Sequence, residues 1–204
     1  MQTKTIKQKM RSVQNIGKIT KAMEMISVSK MKKSVQKRTA SQSFADRSFE
    51  LLENLHVHKN LTHPYLETRK GNKILLVIIA SNKGLCGGYN MNVSKQVTQF
   101  KNEHTNFTID AIAVGKQSEK IARRNDINVI ASFNELSDYY TSGEVRSVLK
   151  TITDTYDNDD NYQSVVVAYT QFVSSLSFDA TVTPFIPLKV DVAQKLAHIE
   201  ADTN

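Results

Sequence analysis

The stretch Ser81-Asn82-Lys83-Gly84-Leu85-Cys86-Gly87-Gly88-Tyr89-Asn90 holds the residue types in this chain best suited to chemistry. It follows the apolar run at residues 74–80 and carries three glycines, a lysine and the only cysteine. A strand that enters a glycine-rich turn and then a helix is a common start for a phosphate site, because unpaired amides at a helix start face an anion. Two specific fingerprints fail here. A P-loop needs Gly-x4-Gly-Lys-Ser/Thr, with the lysine on the phosphates and the hydroxyl on magnesium. The dinucleotide loop needs Gly-x-Gly-x-x-Gly. This loop offers Gly-x-x-Gly-Gly, so weak anion binding stays open. The simpler expectation is structural: three glycines supply positive φ and close strand-to-helix packing, and Cys86 is a small packed side chain.

Other candidates are thinner. His56, His58 and His63 lie close together, but i and i+2 do not share a helix face, and no Cys or carboxylate pattern completes a metal set. No Gly-x-Ser-x-Gly elbow, His-Glu-x-x-His pair or kinase element is present. The expectation is therefore no catalytic residue, no cofactor and no metal site.

The elements around the loop follow from periodicity. Residues 3–58 contain no proline and one glycine, Gly17, and are rich in Lys, Gln, Ala, Met, Ser and Glu. They predict one long helix, about 84 Å at about 1.5 Å per residue. His63-Pro64-Tyr65 ends it, since the residue before proline avoids the helical region. Residues 59–72 then read as a polar linker. From Lys73, strands at 73–80, 107–114, 127–133 and 163–170 alternate with helices at 91–104, 116–125 and 144–157. That order predicts an α/β, Rossmann-like domain over residues 73–190, with a mostly parallel five-stranded sheet covered on both faces. A hairpin in "YTQFVSSLSFDATVTPFIPL" closes the sheet. Residues 191–204 form a short tail, and Asp157 to Asn161 a turn.

The charge is uneven. The 204 residues carry a net +7, yet residues 1–40 alone hold eleven Lys/Arg and one acid, Glu24. The basic excess lies wholly in the N-terminal helix, which fits nucleic acid, acidic lipid or an acidic protein surface. Against nucleic acid, the arm has no basic-region spacing of Asn and Arg and little aromatic interleaving. The helix also lacks a coiled-coil seam. Strict 4-3 spacing from Ile6 visits Met10, Val13, Gly17, Thr20, Glu24, Ser27 and Met31, and fails in the middle. Ile16, Ile19, Met23, Met25, Ile26 and Val28 spread apolar area around several faces. A helix that is apolar on many sides must be enclosed, so this one reads as a shaft inside a polar sleeve. No apolar run is long enough to span a bilayer, no apolar signal core sits near Met1, and one cysteine fits a reducing compartment such as a bacterial cytoplasm.

These segments together resemble the gamma subunit of the rotary (F-type) ATP synthase. "IKQKMRSVQNIGKITKAMEMISVSKMKK" at residues 6–33 is similar to the family's shaft helix. "HPYL" at 63–66 resembles its post-helix segment, and "SNKGLCGGYN" its Ser-Asp-Arg/Lys-Gly-Leu-Cys-Gly-Gly-x-Asn loop. The closing hairpin matches too. The resemblance implies a non-catalytic central rotor stalk. Its helix turns inside a ring of alpha and beta subunits, and its α/β domain sits at the foot against the epsilon subunit and the membrane c-ring. By motif position, Lys18, Thr20, Lys21, Met23, Glu24, Met25, Ile26 and Lys30 become ring-facing or shaft-packing residues. Lys83, Gly84, Leu85, Cys86, Gly87 and Gly88 become a foot loop on the epsilon and c-ring side. The resemblance also implies a peripheral location at the cytoplasmic face of a bacterial membrane, with no nucleic acid and no cofactor.

Two departures stand out. Asn82 replaces the family's usual Asp, removing a charge and a cap or ion pair. The family also continues into a long C-terminal helix that pairs with the first one, whereas this sequence stops at Asn204. A fragment, a rotor split over two chains and a paralogue that has left the machine all fit that. A lone helix of this length is expected to fray or self-associate.

Overall fold

The computed structural model describes residues 2–57, 63–137, 140–174 and 177–188. His58, residues 59–62 of the expected linker, the tip of the closing hairpin and the 191–204 tail lie outside the described residues. The chain forms two compact units that divide between Ser48 and Phe49. α1 (Gln2–Val57) runs across that division as one helix of 56 residues. Its hydroxyl residues do not break it, because they bond back to the preceding turn: Thr20 Oγ1 donates to the Ile16 carbonyl at 2.9 Å and Ser27 Oγ to that of Met23 at 2.8 Å.

The second unit carries β1 (Lys73–Ile79), α2 (Tyr89–Glu103), β2 (Thr108–Val114), α3 (Lys116–Arg124), β3 (Asn128–Phe133), α4 (Ser142–Asn158), β4 (Tyr162–Phe172) and β5 (Phe178–Ile186). The strands form one sheet in the order β3-β2-β1-β4-β5. Three pairings are parallel and β4 with β5 is antiparallel. The α/β, Rossmann-like class expected from the alternation is what forms. β1 is central, so it must be apolar on both faces. Ile74, Leu76 and Ile78 pack with Val93 and Val97 of α2 and Ile121 and Ala122 of α3. The alternate residues Leu75 and Val77 pack with Ile152 and Tyr156 of α4 on the other face. Two helices thus cover one face and one helix the other.

Local chemistry sets the turns. α4 opens on a reciprocal cap: Glu144 N–H donates to Thr141 Oγ1 at 3.3 Å, and Thr141 N–H donates to Glu144 Oε2 at 2.6 Å. The turn from β2 into α3 needs a glycine. Gly115 sits at φ +93°, and a Cβ there would lie 2.2 Å from the Ala80 carbonyl oxygen.

Candidate functional site

α1 is a surface of unusual make-up. Among its described residues, ten large apolar side chains from Ile6 to Met31 are between 44% and 67% exposed. At about 100° per residue, Ile16, Ile19, Met23 and Ile26 share one face, while Met10, Val13, Val28 and Met31 share another about a third of a turn away. This is the spread that the failed heptad seam implies. Lys18, Thr20, Lys21, Met23, Glu24, Met25, Ile26 and Lys30 lie on this stretch and encircle the helix axis rather than share a face. Lys21 Nζ pairs with Glu24 Oε2 at 3.0 Å, both well exposed, a contact worth little by itself.

The glycine loop differs from its expected geometry. Only Gly87, at φ +58°, uses the left-handed region, and the other positive angle belongs to Leu85, at φ +60°. Gly84 has no atom within 4 Å of a built Cβ, and at Gly88 the nearest is at an ordinary 3.5 Å. Close packing is therefore not why those two are glycine. Cys86 is exposed, not packed. The loop is held by side chains at its two ends that also reach its middle at Cys86. Asn90 at the start of α2 accepts Ser81 N–H at 3.1 Å, and its amide donates to Ser81 Oγ at 2.8 Å and to Cys86 Sγ at 3.1 Å. The tip, Leu85, then stands fully in solvent. Beside it, burial pushes the Tyr89 hydroxyl above its ordinary pKa.

Asn82 keeps the capping role that its replacement of Asp was expected to remove. Its Oδ1 accepts Lys116 N–H at the start of α3 at 3.1 Å. Its Nδ2 also donates to the Leu136 carbonyl at 3.3 Å, which a carboxylate cannot do.

Two concavities flank the carboxyl ends of the strands, where the order reverses between β1 and β4 and where α/β sheets usually bind ligands. One is a groove of about 570 Å³ between α4 and the sheet. It is lined by Val77, Ile79, Val114, Val145, Leu149, Val167 and similar residues, with no charged side chain. The other is a cleft of about 260 Å³ under the glycine loop, to which α3 contributes Lys120 and Arg124. Among the described residues, no group of three or more His, Cys, Asp or Glu could hold a metal ion. His63 serves a turn: its Nδ1 accepts Tyr65 N–H at 3.1 Å.

The polar clusters that the sequence did not reveal lie at the opposite, amino-terminal end of the sheet. Asp110 is buried and accepts from Tyr162 OH at 2.7 Å and Asn128 Nδ2 at 2.8 Å. Burial, then that bond to Asp110, pushes the Tyr162 hydroxyl pKa up. Nearby, Arg69 and Lys73 meet Asp157, Asp159 and Asp160. These partners stand more than 80 positions apart, so spacing cannot announce them.

The family described as ATP synthase matches residues 2–204. The ATP synthase gamma chain of Variovorax paradoxus is 31% identical over 194 residues, covering 94% of this chain and 66% of that protein. The ATP synthase gamma chain of Haemophilus influenzae is 33% identical over 190 residues, covering 91% and 65%. A solved central stalk and c-ring of the Tetrahymena thermophila mitochondrial ATP synthase aligns over 73% of this chain and 71% of that one, with a TM-score of 0.44 and 16% identity. The chain spans about two thirds of the length of the relatives it matches. No helix among the described residues is long and apolar enough to cross a membrane. Matched from its second residue to its last by the family and over more than nine tenths of its length by gamma chains, this chain belongs to the ATP synthase gamma family.

Proposed function

We propose that this chain is the central rotor stalk of an F-type ATP synthase. In this reading it is a non-catalytic subunit that couples proton translocation in the membrane sector to ATP synthesis or hydrolysis in an alpha-beta ring. The observation that carries the reading is α1, whose apolar residues between Ile16 and Met31 are exposed around most of its circumference while the α/β unit packs a buried core around β1. Such a helix is stable in water only inside a partner. A ring of partners that contacts all sides accounts for apolar area on all sides. A rotor also needs contacts of similar energy at every angle, which favours many small ones over a deep anchor. Lys18, Lys21 and Lys30, with Thr20, Met23, Glu24, Met25 and Ile26, are the residues proposed to face the ring. The basic charge of α1 suits acidic loops on beta. Lys83, Gly84, Leu85, Cys86, Gly87 and Gly88 are proposed as a loop facing the epsilon subunit and c-ring. The whole would lie peripherally at the cytoplasmic face of the bacterial membrane.

The test is affinity purification of the tagged chain from its own cells. Co-purification of alpha, beta and epsilon subunits is the expected result, and their absence overturns the reading. A Lys18→Glu/Lys21→Glu double variant should recover less alpha and beta than the wild type. Unchanged recovery and ATPase rate would remove these two lysines from the interface.

A second reading, a nucleotide-binding α/β protein with a basic helical arm, is favoured by one observation. Lys120 and Arg124 flank the cleft beneath the glycine loop, where they could meet phosphate. Saturable ATP binding by the isolated chain, lost in a Lys120→Ala/Arg124→Ala variant, would favour it. Binding to the alpha-beta ring without ATP binding favours the rotor.

A further inference from the structure

The chain crosses the amino-terminal end of the sheet twice. Residues 63–72 lead into β1, and residues 186–188 lead out of β5. Both crossings are fastened to the end of α4 or to each other, and electrostatics explains why. A helix C-terminus carries partial negative charge and favours cations. α4 has no basic residue in its last turn, and Asp154, Asp157, Asp159 and Asp160 crowd this end. The cations come from the incoming segment instead. Arg69 Nη1 donates to the Tyr156 carbonyl at 2.6 Å. The same guanidinium lies 3.5 Å from Asp157 and 3.6 Å from Asp160. Its Cζ also sits 3.9 Å above the Tyr156 ring. Lys73 Nζ reaches Asp159 at 3.0 Å.

Tyr65 supplies the second fastening. Its hydroxyl donates to Asp157 Oδ2 at 2.7 Å and its ring packs edge-on to Tyr156. Its carbonyl accepts Leu188 N–H at 2.7 Å, which ties the entry crossing to the exit crossing. Backbone completes the set: Lys73 N–H donates to the Asn161 carbonyl at 3.0 Å. At Gly71 the backbones approach so closely that a Cβ would lie 2.0 Å from the Asn161 oxygen. Over nine residues, from Tyr65 to Lys73, the segment is thus held by a half-buried aromatic, a stacked arginine facing a carbonyl and two carboxylates, an ion pair and a backbone bond.

We infer that Tyr65, Arg69, Gly71 and Lys73, clamped on the end of α4, form a stiff joint that locks the entry crossing at residues 63–72 and the exit crossing at residues 186–188 to the α/β unit, so that torque reaching either crossing is carried into that unit. This rests on the rotor reading. Torque carried by a single strand of chain would be lost in twisting that strand, because unanchored backbone turns freely about φ and ψ. Anchoring it at successive residues, and tying entry to exit, makes the two crossings move as one body. Arg69 is a positioning residue in this sense. Lysine is a poor replacement, since it keeps the charge but loses both the fork and the stacked plane.

The experiment uses the assembled complex from the source cells, in inverted membrane vesicles, with Arg69→Ala, Arg69→Lys and Tyr65→Phe variants. Lys150→Ala serves as a control, because its Asp154 pair lies on the exposed flank of α4. Two quantities are read: ions pumped per ATP hydrolysed, and amide exchange of residues 65–73 in the purified complex. Arg69→Ala should raise exchange by about tenfold, the loss of one charge-assisted hydrogen bond. It should lower the pumping ratio by about twofold or more while hydrolysis continues. Arg69→Lys and Tyr65→Phe should fall between that and the wild type, and Lys150→Ala should match the wild type. A role in folding alone would lower the amount of complex but leave the ratio per complex intact. Unchanged exchange, or raised exchange with an unchanged ratio, overturns the joint and leaves the rotor reading standing. A wild-type chain absent from any ATP-hydrolysing complex overturns both.

Discussion

Ile19 and Ile78 carry the same side chain and meet opposite fates. Ile78 lies in β1 with no exposed surface, while Ile19 stands on α1 with 60% of its surface in solvent. The difference teaches that the α/β unit builds a core of its own around β1, whereas α1 leaves its apolar residues from Ile6 to Met31 in solvent. The contrast breaks first under truncation. Leu76→Ala, in the centre of β1, should destabilise the α/β unit by about 2–5 kcal/mol, seen in urea unfolding of the isolated chain. Ile19→Ala should change the same curve by less than about 0.5 kcal/mol, yet weaken capture of the ring. Equal effects on unfolding would mean that α1 packs as core after all.

The elements were legible where the hydrophobic period is strong. β1 reads directly from Ile74 to Ile79, since a central parallel strand must be apolar on both faces. α1 reads from the absence of proline over more than fifty residues. The site was less legible. Cys86 is exposed and accepts a hydrogen bond from Asn90, neither of which the glycine spacing reports. The left-handed angle at Leu85 is equally hidden, since leucine seldom adopts it. Arg69 reads as linker because its partners at the end of α4 are distant in sequence, and a pairing of charges over that distance is a property of the sheet's topology. Asp110 reads as one polar residue in the run Thr-Ile-Asp-Ala-Ile, and only the approach of Tyr162 and Asn128 explains why it is tolerated in a buried strand.

Two glycines sharpen the same contrast with opposite signs. Gly115 combines a left-handed φ with a backbone oxygen that a Cβ would strike at 2.2 Å. Gly115→Ala should therefore cost the α/β unit about 2–4 kcal/mol, and a thermal midpoint unchanged from wild type would refute that account of the turn. Gly17 lies in mid-helix with nothing within 4 Å of a built Cβ. Gly17→Ala should raise the helicity of α1, by about 0.5–1 kcal/mol in helix propensity, read by circular dichroism. If a partner's backbone approaches α1 closely there, the same variant will lose affinity for the ring while gaining helix. That outcome would separate the needs of the free helix from those of the enclosed one.

A smaller effect tests the loop that joins the two sets of strand ends. Asn82→Asp keeps an acceptor for Lys116 N–H and places a negative charge at the start of α3, where it is favourable. It forfeits the donor to the Leu136 carbonyl. The net change should stay within about 1 kcal/mol, and the visible consequence should be faster amide exchange in the segment after β3. Unaltered exchange there would mean that the Asn82–Leu136 bond does not hold that segment.

The smallest effect concerns acid. Three half-buried carboxylates of the α/β unit are held below their ordinary pKa by donors: Glu144 by the amides of Thr141 and Ser137, Asp159 by Lys73, and Glu119 by Arg123. A carboxylate with a depressed folded pKa contributes stability that is present above its unfolded value, about 4.3 for Glu. That stability is lost as pH falls through the folded value. The α/β unit should accordingly hold its melting temperature from pH 7 to about pH 5 and decline below about pH 4. Glu144→Gln isolates one contributor, because glutamine can still accept Thr141 N–H and complete the cap but cannot take up a proton. The variant should melt close to wild type at pH 7 and fall less steeply in acid. An acid slope as steep as wild type would show that the cap is indifferent to the charge on Glu144, and the acid response would then belong to Asp159 and Glu119 on their basic partners.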